Sequence, residues 1–169
     1  MRLKHILLSV LALTLIGGLG SLWLAPAGIT QAPDLTVTTL QGDRLSLTDL
    51  RGQPVLITFW ASTCSGCIRE MPHLMELYNE LAPGGLEVIG IAMAYDPPNR
   101  VIELSKARQI PYPLALDIDS AAARAFGDVS ITPSSFLIAP DGQVVLQNTG
   151  ALDTQKIRGL VLDMLGRAT

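Results

Sequence analysis

The sequence predicts an α/β domain built on a parallel β-α-β unit, and three stretches carry that prediction. Pro54-Val55-Leu56-Ile57-Thr58-Phe59-Trp60 is a near-continuous apolar run of strand length, rich in β-branched and aromatic residues, as expected of a strand covered on both faces. Cys67, Met71, Leu74, Met75, Tyr78 and Leu81 then recur at helical spacing, with Gly84-Gly85 as the stop. Leu86 to Met93 is a second strand-like run, so the crossover through the helix sets the two strands parallel.

The remaining elements follow in chain order. Ile6 to Ala25 contains no charged residue and follows Arg2, Lys4 and His5. At ~1.5 Å of rise per residue such a run covers a ~30 Å hydrocarbon core. Basic residues before it place the amino terminus in the cytoplasm and the body outside. Residues 1–25 read as an uncleaved anchor, because the run exceeds the ~7–15 residues of a signal core and Trp23 stands where an interfacial aromatic belongs. The alternative is a signal segment cut near Ala25-Pro26-Ala27. Residues 26–33 read as a tether and 34–169 as the domain.

Within the domain, Asp34 to Ser46 alternates around Gln41-Gly42-Asp43, a small hairpin. Asp96-Pro97-Pro98 opens a helix to about Gln109, since proline is tolerated in a first turn. A short strand at Leu114 to Leu116 and a short helix at Ser120 to Phe126 follow. Ser134 to Ala139 and Gln143 to Gln147 flank the turn Pro140-Asp141-Gly142. The last helix has Asp153 as its N-cap, runs to about Leu165 and buries Ile157, Leu160, Val161 and Met164.

Composition removes several function classes. With 169 residues there is room for one domain of ordinary size, not for separate cofactor and substrate lobes. The 12 Lys+Arg and 15 Asp+Glu form no basic run, which argues against a nucleic-acid partner. Without Arg2 and Lys4 the formal charge of −3 becomes −5, so the body is mildly acidic. Two cysteines and two histidines do not make a four-ligand zinc site, and no phosphate-cradling glycine loop is present. No cofactor or metal is therefore expected. What remains is one thiol pair.

That pair, Cys64-Ser65-Gly66-Cys67, lies where the first strand of the β-α-β unit gives way to its helix. Unpaired N–H groups and the helix dipole at such a position favour thiolate over thiol, lowering a cysteine pKa from ~8.5 into the range ~3.5–7.5. Cys64, nearer solvent, is the candidate nucleophile. Cys67, three residues on along the same face, can attack the mixed disulfide that Cys64 forms. A static bridge is the competing reading, but so short a loop removes little unfolded-chain entropy. A second candidate site is Thr132-Pro133, just before the Ser134 to Ala139 strand. A cis bond there would turn the Thr132 backbone toward Cys64, where an extended substrate could pair with it.

These residues resemble a known family. Phe59-Trp60-Ala61-Ser62-Thr63-Cys64-Ser65-Gly66-Cys67, Glu70-Met71-Pro72, Thr132-Pro133-Ser134-Ser135-Phe136-Leu137-Ile138 and Asp141-Gly142 are similar to the membrane-anchored thioredoxin-like proteins of the TlpA and ResA type. The resemblance spans about Ala32 to Leu165. It implies a thioredoxin-like fold, a central mixed sheet flanked by helices, with an N-terminal β-hairpin and a central insertion, preceded by one transmembrane helix. It implies a thiol:disulfide oxidoreductase on the periplasmic side of the bacterial inner membrane, fed by a membrane thiol carrier and reducing proteins such as apocytochrome c.

By position, the resemblance makes Cys64 and Cys67 the redox pair, Pro133 the cis proline and Glu70 the acid after the pair. Thr63 stands where the family commonly has tryptophan, and Thr58 where thioredoxin has a buried aspartate. Glu70 is then the acid left to take a proton from Cys67; its alternative is a solvated first-turn carboxylate. Relatives that bind copper use a Cys-x-x-x-Cys spacing, and peroxidatic ones carry threonine where this chain has Ala61. Direction stays open: Ser65-Gly66 decides neither for reductase nor for oxidase or isomerase, and a binding module with a structural disulfide is the third class.

Overall fold

The computed structural model describes residues 28–167. In chain order the elements are β1 (Thr36–Thr38), β2 (Arg44–Ser46), β3 (Val55–Trp60), α1 (Ser65–Leu81), β4 (Glu87–Ala92), α2 (Pro98–Arg108), β5 (Leu114–Leu116), α3 (Ala121–Ala125), β6 (Ser134–Ile138), β7 (Val144–Thr149) and α4 (Thr154–Arg167), with a 3-10 turn at Ala82–Gly84 after α1. The main sheet has the order β5-β4-β3-β6-β7. β4 runs parallel to β3 and to β5, whereas β6 is antiparallel to β3 and to β7. The expected mixed sheet, the hairpin of β1 and β2 and the extra α2-β5-α3 stretch are all present.

Strand alternation divides the core. On one face of the sheet Leu56, Trp60, Val88 and Ala92 meet α1, α2 and α4 through Met71, Leu74, Leu77, Val101, Ile157 and Val161. On the other, Val55, Ile57, Phe59, Ile89 and Ile91 meet α3 and Leu47. There Phe59, Phe126 and Phe136 pack as a triangle with ring centroids 4.8 to 6.0 Å apart. All six residues of β3 are buried, which accounts for its unbroken apolar sequence.

Local chemistry sets the ends of the helices. Gly85 takes a left-handed conformation, φ 114°, closing the turn after α1 where a side chain would be strained. The Asp153 carboxylate accepts from the Lys156 backbone N–H at 3.0 Å, the N-cap expected for α4. Asp96 does not cap α2. Pro97 holds the N-cap position without a side-chain bond, and the Asp96 carboxylate turns instead to Ser62.

The stretch 26–33, read from sequence as a tether, behaves differently where it is described. From Gly28 on it lies against the domain: Ala32 N–H donates to Gly142 O at 2.9 Å, Thr30 O accepts from Val144 N–H at 3.0 Å, and Ala32 is buried. No residue from Gly28 to Pro33 is charged, and Ile29 packs with Ala32 against the core on this side of the sheet. The anchor expected over residues 1–25 lies outside the described residues, and among those described no helix is long and apolar enough to cross a membrane.

Candidate active site

Parallel strands β3 and β4 end on the same edge of the sheet at which antiparallel β6 begins. Three loops therefore meet there, carrying Cys64, Tyr95 and Thr132. Cys64 is the N-cap of α1, with extended backbone, and its carbonyl accepts from Ile68 N–H at 3.1 Å. Its sulfur accepts from Cys67 N–H at 3.1 Å, so one of the orphan donors of the helix start points at the reactive atom. Cys64 and Cys67 are joined as a disulfide with their Cα atoms 5.3 Å apart. Cys64 is half-buried, while Cys67 is only 3% exposed.

The Thr132-Pro133 peptide bond is cis. Pro133 packs over the cysteine turn: a methyl group built on Gly66 would lie 3.5 Å from Pro133 Cδ and 3.9 Å from Cys64 Sγ. No hydrogen bond occupies the backbone N–H or C=O of Thr132 among the described residues, whereas the carbonyl of Pro133 accepts from Gly150 N–H at 2.8 Å.

Behind Cys67 lies a cavity lined by Thr58, Trp60, Cys67, Glu70, Met71, Leu74, Tyr112 and Pro133. Glu70 is 7% exposed and sits on the buried face of α1 among apolar neighbours. Neither of its carboxylate oxygens meets a hydrogen-bond partner, and neither does Trp60 Nε1. Burial pushes the Glu70 carboxyl above the ordinary carboxylate range; the Leu152 backbone, outside hydrogen-bonding geometry, and the neighbouring His73 offset this only in part. Tyr112 is pushed well above the usual phenol range, first by burial and then by the Glu70 charge. Thr58 Oγ1, where an aspartate would sit in thioredoxin, accepts from Ser135 Oγ at 3.2 Å and carries no charge.

All five site residues expected from sequence, Cys64, Cys67, Glu70, Thr132 and Pro133, lie in this one region. Glu70 is not at the solvated helix start that one reading allowed; the helix turns it inward. Three neighbours were not singled out. Trp60 was read as strand core and Tyr112 falls in a loop, so only tertiary packing brings both against Glu70. Asp96, 3% exposed, accepts from both the backbone N–H and the hydroxyl of Ser62, fixing the loop that leads to Cys64. The aspartate before Pro97-Pro98 was legible as a helix start, but not as a brace.

Known proteins share this arrangement. A model of the AhpC/TSA family matches residues 29–147. "Thiol-disulfide oxidoreductase ResA" of Bacillus thuringiensis (strain Al Hakam) is 33% identical over 129 residues, covering 76% of this chain and 73% of that protein. The protein of the same name from Geobacillus thermodenitrificans is 30% identical over 153 residues, 90% of this chain and 87% of its own. A thiol:disulfide interchange protein of the thioredoxin family from Chlorobium tepidum superposes with a TM-score of 0.73 at 27% identity, covering 84% of this chain and 100% of that one. The span of the family match and the identity shared with ResA proteins along most of their length agree with the thiol pair at the helix start: the chain belongs to the AhpC/TSA thioredoxin-like family, as one of its thiol-disulfide oxidoreductases.

Proposed function

We propose that this oxidoreductase reduces protein disulfides on the outer face of a bacterial cytoplasmic membrane, held there by residues 1–25. Its substrates are disulfide-bearing proteins such as apocytochrome c, and a membrane thiol carrier returns it to the dithiol. The observation that carries the reading is the asymmetry of the pair. Cys64 sits at the helix start beside the open backbone of Thr132, and Cys67 is buried beside a carboxyl group without a partner.

The chemistry follows from that asymmetry. An extended substrate pairs with the Thr132 backbone, and the Cys64 thiolate attacks one substrate sulfur. A Cys64–substrate disulfide forms, and the second substrate sulfur leaves as thiolate and takes up a proton. Glu70 accepts the Cys67 proton, and the Cys67 thiolate attacks Cys64 Sγ. The Cys64–Cys67 disulfide forms and the substrate leaves with both sulfurs reduced. Two electrons have passed from the pair to the substrate, and the carrier dithiol supplies two in return.

Equilibrating the Cys64/Cys67 couple in glutathione and dithiothreitol buffers tests the direction. A reductase should titrate near the ~−270 mV of thioredoxin, whereas a value near the ~−120 mV of a strong oxidant would assign thiol oxidation instead. A bridge that stays closed in the strongest reductant would make the disulfide structural.

A further inference from the structure

Among the described residues six large hydrophobic side chains stand exposed, and two of them, Tyr95 at 59% and Ile131 at 61%, flank Thr132. The Tyr95 hydroxyl lies 3.4 Å from Thr132 Oγ1, and Ile131 precedes Thr132 in the chain. Tyr95 is exposed but not loosely held. The next residue, Asp96, is buried and bonded to Ser62, its backbone N–H donates to Met93 O at 2.9 Å, and Pro97 and Pro98 stiffen the chain beyond. A tyrosine ring presented on a fixed loop gives contact area at little cost in conformational entropy, since it has only two side-chain torsions.

From this placement we propose that Tyr95 is a specificity-determining residue: with Ile131 it forms an apolar seat beside the Thr132 backbone, selecting extended polypeptide disulfides with a large apolar residue next to the reacting cysteine. The assignment rests on the disulfide-exchange reading above. A substrate strand lying along Thr132 brings the residue beside its cysteine over the Tyr95 ring, while Ile131 borders the same stretch of backbone. The hydroxyl contact to Thr132 orients the ring; the ring face makes the selection.

The test uses the Cys67→Ser protein, in which exchange stops at the mixed disulfide through Cys64. Three disulfides are offered: a peptide with leucine on both sides of its cysteine, the same peptide with serines, and hydroxyethyl disulfide. Each capture rate on a peptide is divided by that variant's own rate on hydroxyethyl disulfide, which removes differences in thiol reactivity. The leucine peptide should be preferred about tenfold, the lower end of what one apolar contact confers. In Cys67→Ser/Tyr95→Ala the preference should collapse to about twofold or less, and Cys67→Ser/Tyr95→Phe should retain most of it. A preference that survives alanine, or that phenylalanine loses as fully as alanine does, overturns the assignment while leaving the exchange reading intact. Failure of Cys67→Ser to capture even hydroxyethyl disulfide overturns both.

Discussion

Glu70 is a carboxyl group placed where its charge costs free energy. The residue pattern of α1 puts it at the third position after Cys67, on the face that also buries Met71, Leu74 and Leu77. Its folded pKa is raised, so between about 4.5 and that raised value the folded protein binds more protons than the unfolded chain. Stability therefore falls as pH rises through that window and is unpenalised below it. Glu70→Gln should remove this slope and raise the denaturant midpoint at neutral pH, read by unfolding at a series of pH values. The same substitution removes a negative charge near the thiol pair, so the alkylation profile of the reduced thiols should move to lower pH. If Glu70 takes the Cys67 proton, reduction of a peptide disulfide should nevertheless slow, by about a hundredfold if it acts as an ordinary general base. A lower thiol pKa with faster turnover would reduce Glu70 to a charge effect.

Elements whose sequence period matches one environment were legible, and residues that act across elements were not. β3, α1 and β4 were readable because apolar runs and helical spacing report burial on one chain segment at a time. Cys64 and Cys67 were readable because strand ends and helix starts are local; Thr132-Pro133 was readable as a candidate ahead of a strand, and its cis bond only through the family resemblance. Tyr112, Asp96 and Tyr95 reach the site from loops after β4 and before β5, and no local period marks a loop side chain that meets another loop. Two glycines show how context decides an element's tolerance. In β4, a methyl group on Gly90 would lie 2.5 Å from Leu114 Cδ2, 3.2 Å from Trp60 Nε1 and 3.3 Å from Tyr112 Cε2. Gly90→Ala should therefore destabilise by about 1–3 kcal/mol, through the wall of the cavity behind Cys67. In α4, Gly159 has open space around it, and Gly159→Ala should stabilise by about 1 kcal/mol from helix propensity. Urea midpoints of the two variants, with unchanged slope, check both signs.

At the scale of the whole molecule, an acidic domain with its reactive face at one sheet edge is proposed to hang from an apolar leader. Such a protein should remain with membranes through a high-salt wash and retain Met1 in its mature form; a soluble envelope protein beginning near Gly28 would show that the leader is cut instead. Thr39 bridges to Ala115 and Leu40 N–H donates to Leu114 O, meeting the outer strand β5, while Gln31 bridges to Gln143 and meets the strand at the opposite margin. One stretch of chain, residues 31 to 40, thus touches both margins of a five-stranded sheet. Exposed sheet margins recruit other chains into aggregates, and in this molecule they are partly screened by its own leader-proximal residues. Backbone left available for pairing at Thr132 is then selective by contrast: a client strand finds an opening beside the sulfur, and a neighbouring copy finds less to join at the rims. Deleting the residues up to Gln31, which frees the margin at Gln143, should raise self-association, read by light scattering against the full chain.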